Sequence, residues 1–250
     1  MICIQYMIKL YNSEKTMRKQ LMIPDENFFI ILNNSECDIK LLDYLENDMG
    51  HIIIPEIFSE NIKKSIKSNI STQLFRLWEI NLKRYCENYY KIINEISIEK
   101  EVSYTNTCQS IFENTDLIYR ITKQFSNSFS KNDAFLYGIS YYLRNNTDYE
   151  PIIISDDSHH NLYGHFLSAY FGFNLIQLSL YEILKFYDFD ATIINKYSRY
   201  KGIGDFVKYN ITSTLKRNQY EPEMIKLFQS CLLPIHPKIK TKEDYDKLIK

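Results

Sequence analysis

Glycine and proline are scarce in this sequence, at six each in 250 residues. So few turn-forming positions disfavour a turn-rich all-β architecture and long flexible linkers. An excess of one charge is missing as well: 30 basic and 31 acidic residues leave a formal net charge of -1. No global field draws such a chain onto a polyanion, so any nucleic-acid site has to be local. No apolar run approaches the roughly 20 residues that span a bilayer, and the opening MICIQYMIKLYNSEK lacks a signal-peptide core and cleavage site. The five cysteines, Cys3, Cys37, Cys86, Cys108 and Cys231, lie far apart, and an odd number cannot all pair within one chain. Together these absences predict a soluble, cytoplasmic protein in a reducing compartment.

Several kinds of chemistry are missing too. Gly202-Ile203-Gly204 stands alone, without the strand-loop-helix setting or the Lys-Ser/Thr of a phosphate loop, which disfavours nucleotide-cofactor chemistry. No nucleophile elbow supports covalent catalysis. His159, His160 and His165 lack the partner cysteines or second histidine cluster of a recognisable transition-metal spacing. A solvent-exposed turn, a phosphate contact or proton transfer remain open for them.

What the chain does have is apolar and aromatic material: 45% hydrophobic residues, with 21 Tyr and 15 Phe, enough for one main domain with an appended helical lobe. Asn27 to Leu32 is short, aromatic and β-branched, the pattern of a strand buried on both faces, and it ends in Asn33-Asn34-Ser35. An amphipathic segment from Asp38 to Asn47 leads to a compact strand at His51 to Ile54, closed by Pro55, with a helix starting near Pro55 or Ser59. From Ser71 to Glu99 apolar residues recur at three- and four-residue spacing, as on a long amphipathic helix. Val102 to Thr107 reads as a polar loop, and Ile111 to Phe125 regains helical spacing. Asn132-Asp133 opens a further helix with an asparagine cap. Strands are then expected at Pro151 to Ile154 and Asn174 to Ser179, and additional helices between Tyr181 and Leu215. Alternating strands and helices favour a parallel sheet, whose binding sites gather at the carboxyl ends of its strands.

Four places carry the candidate chemistry: Asn33 at a strand end, Glu60 after the second strand, Asp133 at a helix start, and Asp156-Asp157 after a strand. Taken singly, each acid suits an ordinary solvated helix start or turn. Taken in order, Ile52-Ile-Ile-Pro-Glu-Ile-Phe-Ser-Glu60, Asn132-Asp-Ala-Phe-Leu-Tyr-Gly-Ile-Ser140 and Ile152-Ile-Ile-Ser-Asp-Asp157 resemble the PIN-like (PilT N-terminus) nucleases. Those proteins begin with a strand ending in an Asp-x-Asn-like signature. They then place a Glu after a strand and Pro, an Asp at a helix start, and acids after a later strand. The resemblance covers Asn27 to Leu184, with Asn33 where the first family Asp is expected.

The resemblance implies an α/β fold: a PIN-like three-layer arrangement with a central, mainly parallel sheet plus inserted and C-terminal helices. It implies a PIN-like domain over residues 22–188 with a helical insertion at 64–126, and a C-terminal helical extension over 189–250. It also implies an endoribonuclease in which Glu60, Asp133, Asp156 and Asp157 are catalytic and hold Mg²⁺ or Mn²⁺ with help from Asn33. Hard divalent ions prefer oxygen ligands and activate water against a phosphodiester. Asn33 brings no charge, so a catalytically impaired module that binds nucleic acid or protein is the alternative. An unrelated α/β interaction protein is a third. Around Asn195 to Arg217, Lys196, Arg199, Lys201 and Lys208 interleave with Tyr197 and Tyr200, a combination that suits phosphates and unpaired bases. Single-stranded or structured RNA is therefore the expected partner, with DNA, a homodimer or another protein left open.

Overall fold

The computed structural model describes residues 19–34, 39–67, 71–123, 129–155, 160, 167, 176–178, 180 and 183. In chain order the elements are β1 (Lys19–Pro24), α1 (Glu26–Asn34), α2 (Ile39–Met49), β2 (His51–Ile52), α3 (Glu56–Lys67), α4 (Thr72–Glu99), α5 (Tyr104–Lys123), α6 (Lys131–Asn146), β3 (Tyr149–Ile154) and β4 (Ile176–Leu178). The protein is mixed α/β and mostly helical. Its strands form one parallel sheet in the order β2-β1-β3-β4. The central pair is in register from Lys19 opposite Tyr149 to Pro24 opposite Ile154. Both strands are buried runs, Leu21-Met22-Ile23 and Ile152-Ile153-Ile154, as expected where helices cover a parallel sheet.

The first strand is not where the apolar pattern puts it. Asn27 to Leu32 is helical, within α1, and the strand is the preceding Lys19–Pro24. A short continuous apolar run fits a buried helix as well as a buried strand, and only packing decides between them. Here Pro24 ends the ladder, Asp25 follows, and the Glu26 amide donates to Asp25 Oδ1 at 2.7 Å, starting the helix. Phe28 and Phe29 are fully buried, and the Phe29 ring meets the Trp78 ring of α4 edge-on at 6.0 Å.

The other elements lie close to their expected places. Trp78, Leu82, Tyr85, Tyr89, Ile92 and Ile96 of α4 are buried, in agreement with the helical spacing. The loop expected at Val102 to Thr107 is shorter: α5 begins at Tyr104, because Ser103 Oγ accepts from the Asn106 amide at 3.2 Å and caps the helix. The cap of α6 is Ser130, not Asn132; its side chain accepts from the Asp133 amide while Asp133 accepts from the Ser130 amide, a reciprocal capping box. Gly50 joins α2 to β2 with φ at +114°, a conformation that suits a residue without Cβ. The expected helices from Tyr181 to Leu215 lie outside the described residues, apart from Ile183. Among the described residues no helix is long and apolar enough to cross a membrane.

Helices α5 and α6 approach closely at Gly138. A Cβ there would lie 2.2 Å from Thr115 Oγ1 and 3.0 Å from the Thr115 Cα. Thr115 is buried and its hydroxyl donates to the Ile111 carbonyl at 2.8 Å, so it has little room to move. Gly138→Ala is therefore expected to destabilise the fold by about 1–3 kcal/mol through overpacking, despite alanine's higher helix propensity. Urea unfolding of the variant against wild type measures it.

Candidate active site at the carboxyl edge of the sheet

The strand order reverses between β1 and β3: from β1 the chain goes on to β2 on one side, and from β3 to β4 on the other. Ligands of such sheets bind in the crevice outside the carboxyl ends of the strands at a switch point of this kind. Asp25 follows β1 and Ser155 follows β3, so both stand at that crevice. The backbone ties them, with the Asp25 amide donating to the Ile154 carbonyl at 2.8 Å and Ser155 Oγ donating to Asp25 Oδ2 at 3.0 Å.

Asp25 is only 6% exposed. Its carboxylate accepts from the Glu26 amide, from Asn27 Nδ2 at 3.3 Å and from Ser155. These hydrogen bonds compensate a desolvated charge. Asp133 reaches the same place from the start of α6: its Oδ2 accepts from the Ser130 amide at 2.8 Å, and its Oδ1 lies 3.2 Å from His160 Nε2. His160 is buried, and the same Nε2 is 3.7 Å from Asp25 Oδ2. One imidazole nitrogen thus faces two carboxylates from two different elements. On its other side, the Tyr137 hydroxyl donates its proton to the His160 carbonyl at 2.7 Å, so the 3.1 Å contact with His160 Nδ1 has Nδ1–H as donor.

Electrostatics follow the geometry. Burial pushes the Asp133 carboxyl up, but the hydrogen bond and charge of His160, with the two Ser130 contacts, outweigh it and hold the group below the usual range. Glu26 goes the other way, raised by burial and by the negative charges of Asp25 and, more weakly, Asp133; Ser65 Oγ donates to it at 3.4 Å. Acid concentrates at this edge. Because its folded pKa is depressed, Asp133 contributes stability that is complete above its unfolded value near 3.8 and is lost as pH falls through the lower folded value. The stability gap between wild type and Asp133→Asn should therefore be full at pH 7 and shrink below about pH 4, as parallel urea titrations at the two pH values would report.

The sequence-predicted residues divide. Asp133 is in the cluster. Asn33 is not at a strand end: it lies in the last turn of α1, and Asp25 takes the strand-end place. Glu60 is on α3 with its side chain 59% exposed, bonded to Lys63 at 2.7 Å, and the charges acting on it are those of Lys63 and Lys64. The acid of this region that senses Asp25 and Asp133 is Glu26. Asp156, Asp157, His159 and His165 lie outside the described residues, as do Lys196, Tyr197, Arg199, Tyr200, Lys201 and Lys208. Asp25 and Glu26 were missed, although Asp25-Glu26-Asn27 is itself an Asp-x-Asn sequence directly after a strand, and His160, for which proton transfer was one of the open readings, is the histidine that stands beside the two acids.

The donor set bears on a metal. Asp25 and Asp133 offer carboxylate oxygens, the ligands hard divalent cations prefer, in a place where a positive group is already favoured. Among the described residues no group of three or more His, Cys, Asp or Glu side chains is spaced to hold an ion. Asp156 and Asp157, directly after Ser155 in the chain, are the further oxygen donors the sequence supplies. No family model matches the chain, and no curated protein or solved structure matches it.

Proposed function

We propose that the chain is a PIN-like endoribonuclease in which Asp25 and Asp133, with Asp156 and Asp157, hold Mg²⁺ or Mn²⁺. The observation that carries this reading is the convergence of Asp25 and Asp133 on one point at the β1/β3 switch, marked by His160 Nε2. A divalent ion there supplies a water of lowered pKa and neutralises charge on the phosphate. The chain's own residues do the rest. Ser155 and the Glu26 amide fix the Asp25 carboxylate in direction. The capping box fixes Asp133 and leaves Oδ1 facing His160 Nε2. His160, locked by Tyr137 through Nδ1, keeps Nε2 beside both acids, where it can hold or pass a proton.

Asp25 supports an active enzyme over an impaired one. That alternative rested on an uncharged Asn33 in the first acid's place, and the residue after β1 is a carboxylate. Purified wild type, freed of contaminating nucleases, should cleave labelled single-stranded RNA with Mn²⁺ or Mg²⁺ and not in EDTA. RNA binding without cleavage in either metal would instead favour a binding module.

A further inference from the structure

Beside the acid centre, the last turn of α5 meets the first turn of α6. Lys123 Nζ lies 5.8 Å from the centre of the Tyr119 ring, and Lys131 Nζ lies 5.7 Å from the same point. One tyrosine thus gathers ammonium groups from two helices, held by the negative face of its ring. Arg120 adds an exposed guanidinium whose Nε donates to the Asp116 carbonyl at 3.3 Å.

Helix electrostatics explain only part of this cluster. Arg120 and Lys123 are in the last turn of α5, where the carbonyl end of the helix favours cations. Lys131 is the first residue of α6, at the amide end, where the dipole disfavours a cation and favours an anion. The Tyr119 ring holds Lys131 there against the dipole, which leaves a cation beside the amide end of a helix. The positive helix end and two lysines assembled on an aromatic ring converge on one corner, where Lys131 and Arg120 are exposed and Tyr119 and Lys123 half-buried.

That corner adjoins the acid centre. Lys131 and Asp133 share the first turn of α6, where side chains lean toward the helix start. Lys131 leads to Tyr119 and Asp133 to His160, so a strand crossing the start of α6 passes from cations to carboxylates over about 10 Å, the width of a helix. We propose that Tyr119, Lys123 and Lys131 form a holding surface for single-stranded RNA, with the lysines on backbone phosphates and the tyrosine against a base. An unpaired strand offers phosphates and base faces together, whereas a duplex hides its base faces. This surface rests on the ribonuclease reading, because it holds the strand whose neighbouring phosphate reaches Asp25 and Asp133.

The test is anisotropy of labelled oligouridine with the full chain in EDTA, so that bound RNA stays intact, across a salt series. Lys123→Gln/Lys131→Gln should weaken binding about tenfold or more at low salt and flatten the log-log salt slope by about 1.4, the loss of two single-strand phosphate contacts. Lys123→Arg/Lys131→Arg should restore both, and Tyr119→Leu should weaken binding where Tyr119→Phe does not. Wild-type-like affinity and slope in the glutamine pair, matching a control pair Lys83→Gln/Lys91→Gln on α4, overturns the surface, as does a wild type that binds no oligouridine. Tighter binding of oligothymidine DNA overturns the RNA assignment. Cleavage in Mn²⁺ separates the two claims: cutting that is unchanged in the glutamine pair refutes the surface alone, and lysine-dependent binding without cutting refutes the nuclease alone.

Discussion

Asp25→Asn is expected to lower metal-dependent RNA cleavage by about 100-fold or more, because a carboxylate that helps hold the ion supports several kcal/mol of transition-state charge stabilisation. The substitution is nearly isosteric. Asparagine's oxygen can still accept from the Glu26 amide, and its neighbours Asn27 and Ser155 remain in place, so the far-ultraviolet circular dichroism should not change. Asn33→Ala is the matched comparison and should cut at close to the wild-type rate, because Asn33 lies in the last turn of α1 and not at the strand end. Equal cleavage by wild type and Asp25→Asn would place the catalytic centre elsewhere or expose a contaminant.

Arg144→Ala is expected to cost about 3–5 kcal/mol of stability, the range found when one partner of a buried ion pair is removed. Glu150 is 1% exposed on β3, and Arg144, in the last turn of α6, is bonded to it through Nη1. Without the guanidinium, the buried Glu150 carboxylate, at the strand position opposite Gln20 of β1, loses this positive partner. The loss is larger than for an exposed pair such as Lys83–Glu87, whose removal should change stability by less than about 1 kcal/mol. Urea unfolding of the two single variants gives the contrast directly. Arg144→Ala should also leave the geometry at Asp25 intact if it remains folded, because Glu150 sits near the amino end of the same strand that carries Ser155 at its other end.

Elements with strong periodicity could be read from the chain. The α4 stripe from Trp78 to Ile96 is buried as its spacing requires, and the isoleucine run of β3 is central in the sheet. Places where periodicity is silent could not. Phe28-Phe29-Ile30-Ile31-Leu32 carries the composition of a buried strand, but the neighbouring Lys19–Pro24 occupies the strand position and Asp25 starts a helix. β1 itself begins with Lys19 and Gln20, and its apolar stretch is only Leu21 to Pro24, too short to stand out. That single shift hid the acid of the site. With a strand expected at Asn27 to Leu32, the first-acid place falls on Asn33, eight residues after Asp25.

Glu60 pairs with Lys63 and not with the acids at the sheet edge. It has the expected order after a strand and Pro55, but sequence order does not fix the direction of a helical side chain. Lys63, one turn on, takes it at the solvent face. Glu26 is close in space to Asp25 and Asp133 because it is next to Asp25 in the chain and packs toward Ser65 of α3. His160 was legible only as one of several histidines; its burial and its place beside two acids depend on contacts with residues far from it in the chain, Asp25 after β1 and Asp133 of α6.

The most direct test of the central claim is the melting temperature of wild type and Asp25→Asn as Mn²⁺ is titrated in the absence of RNA. Binding to the folded state alone stabilises by about 2.7 kcal/mol at 100 times Kd, or about 5–10 °C for a domain of this size. That rise is expected in wild type, and its loss, or a shift to much higher Mn²⁺ concentration, in Asp25→Asn. A wild-type melting temperature that stays flat into millimolar Mn²⁺, or that rises equally in both proteins, would contradict a metal centre at Asp25 and Asp133.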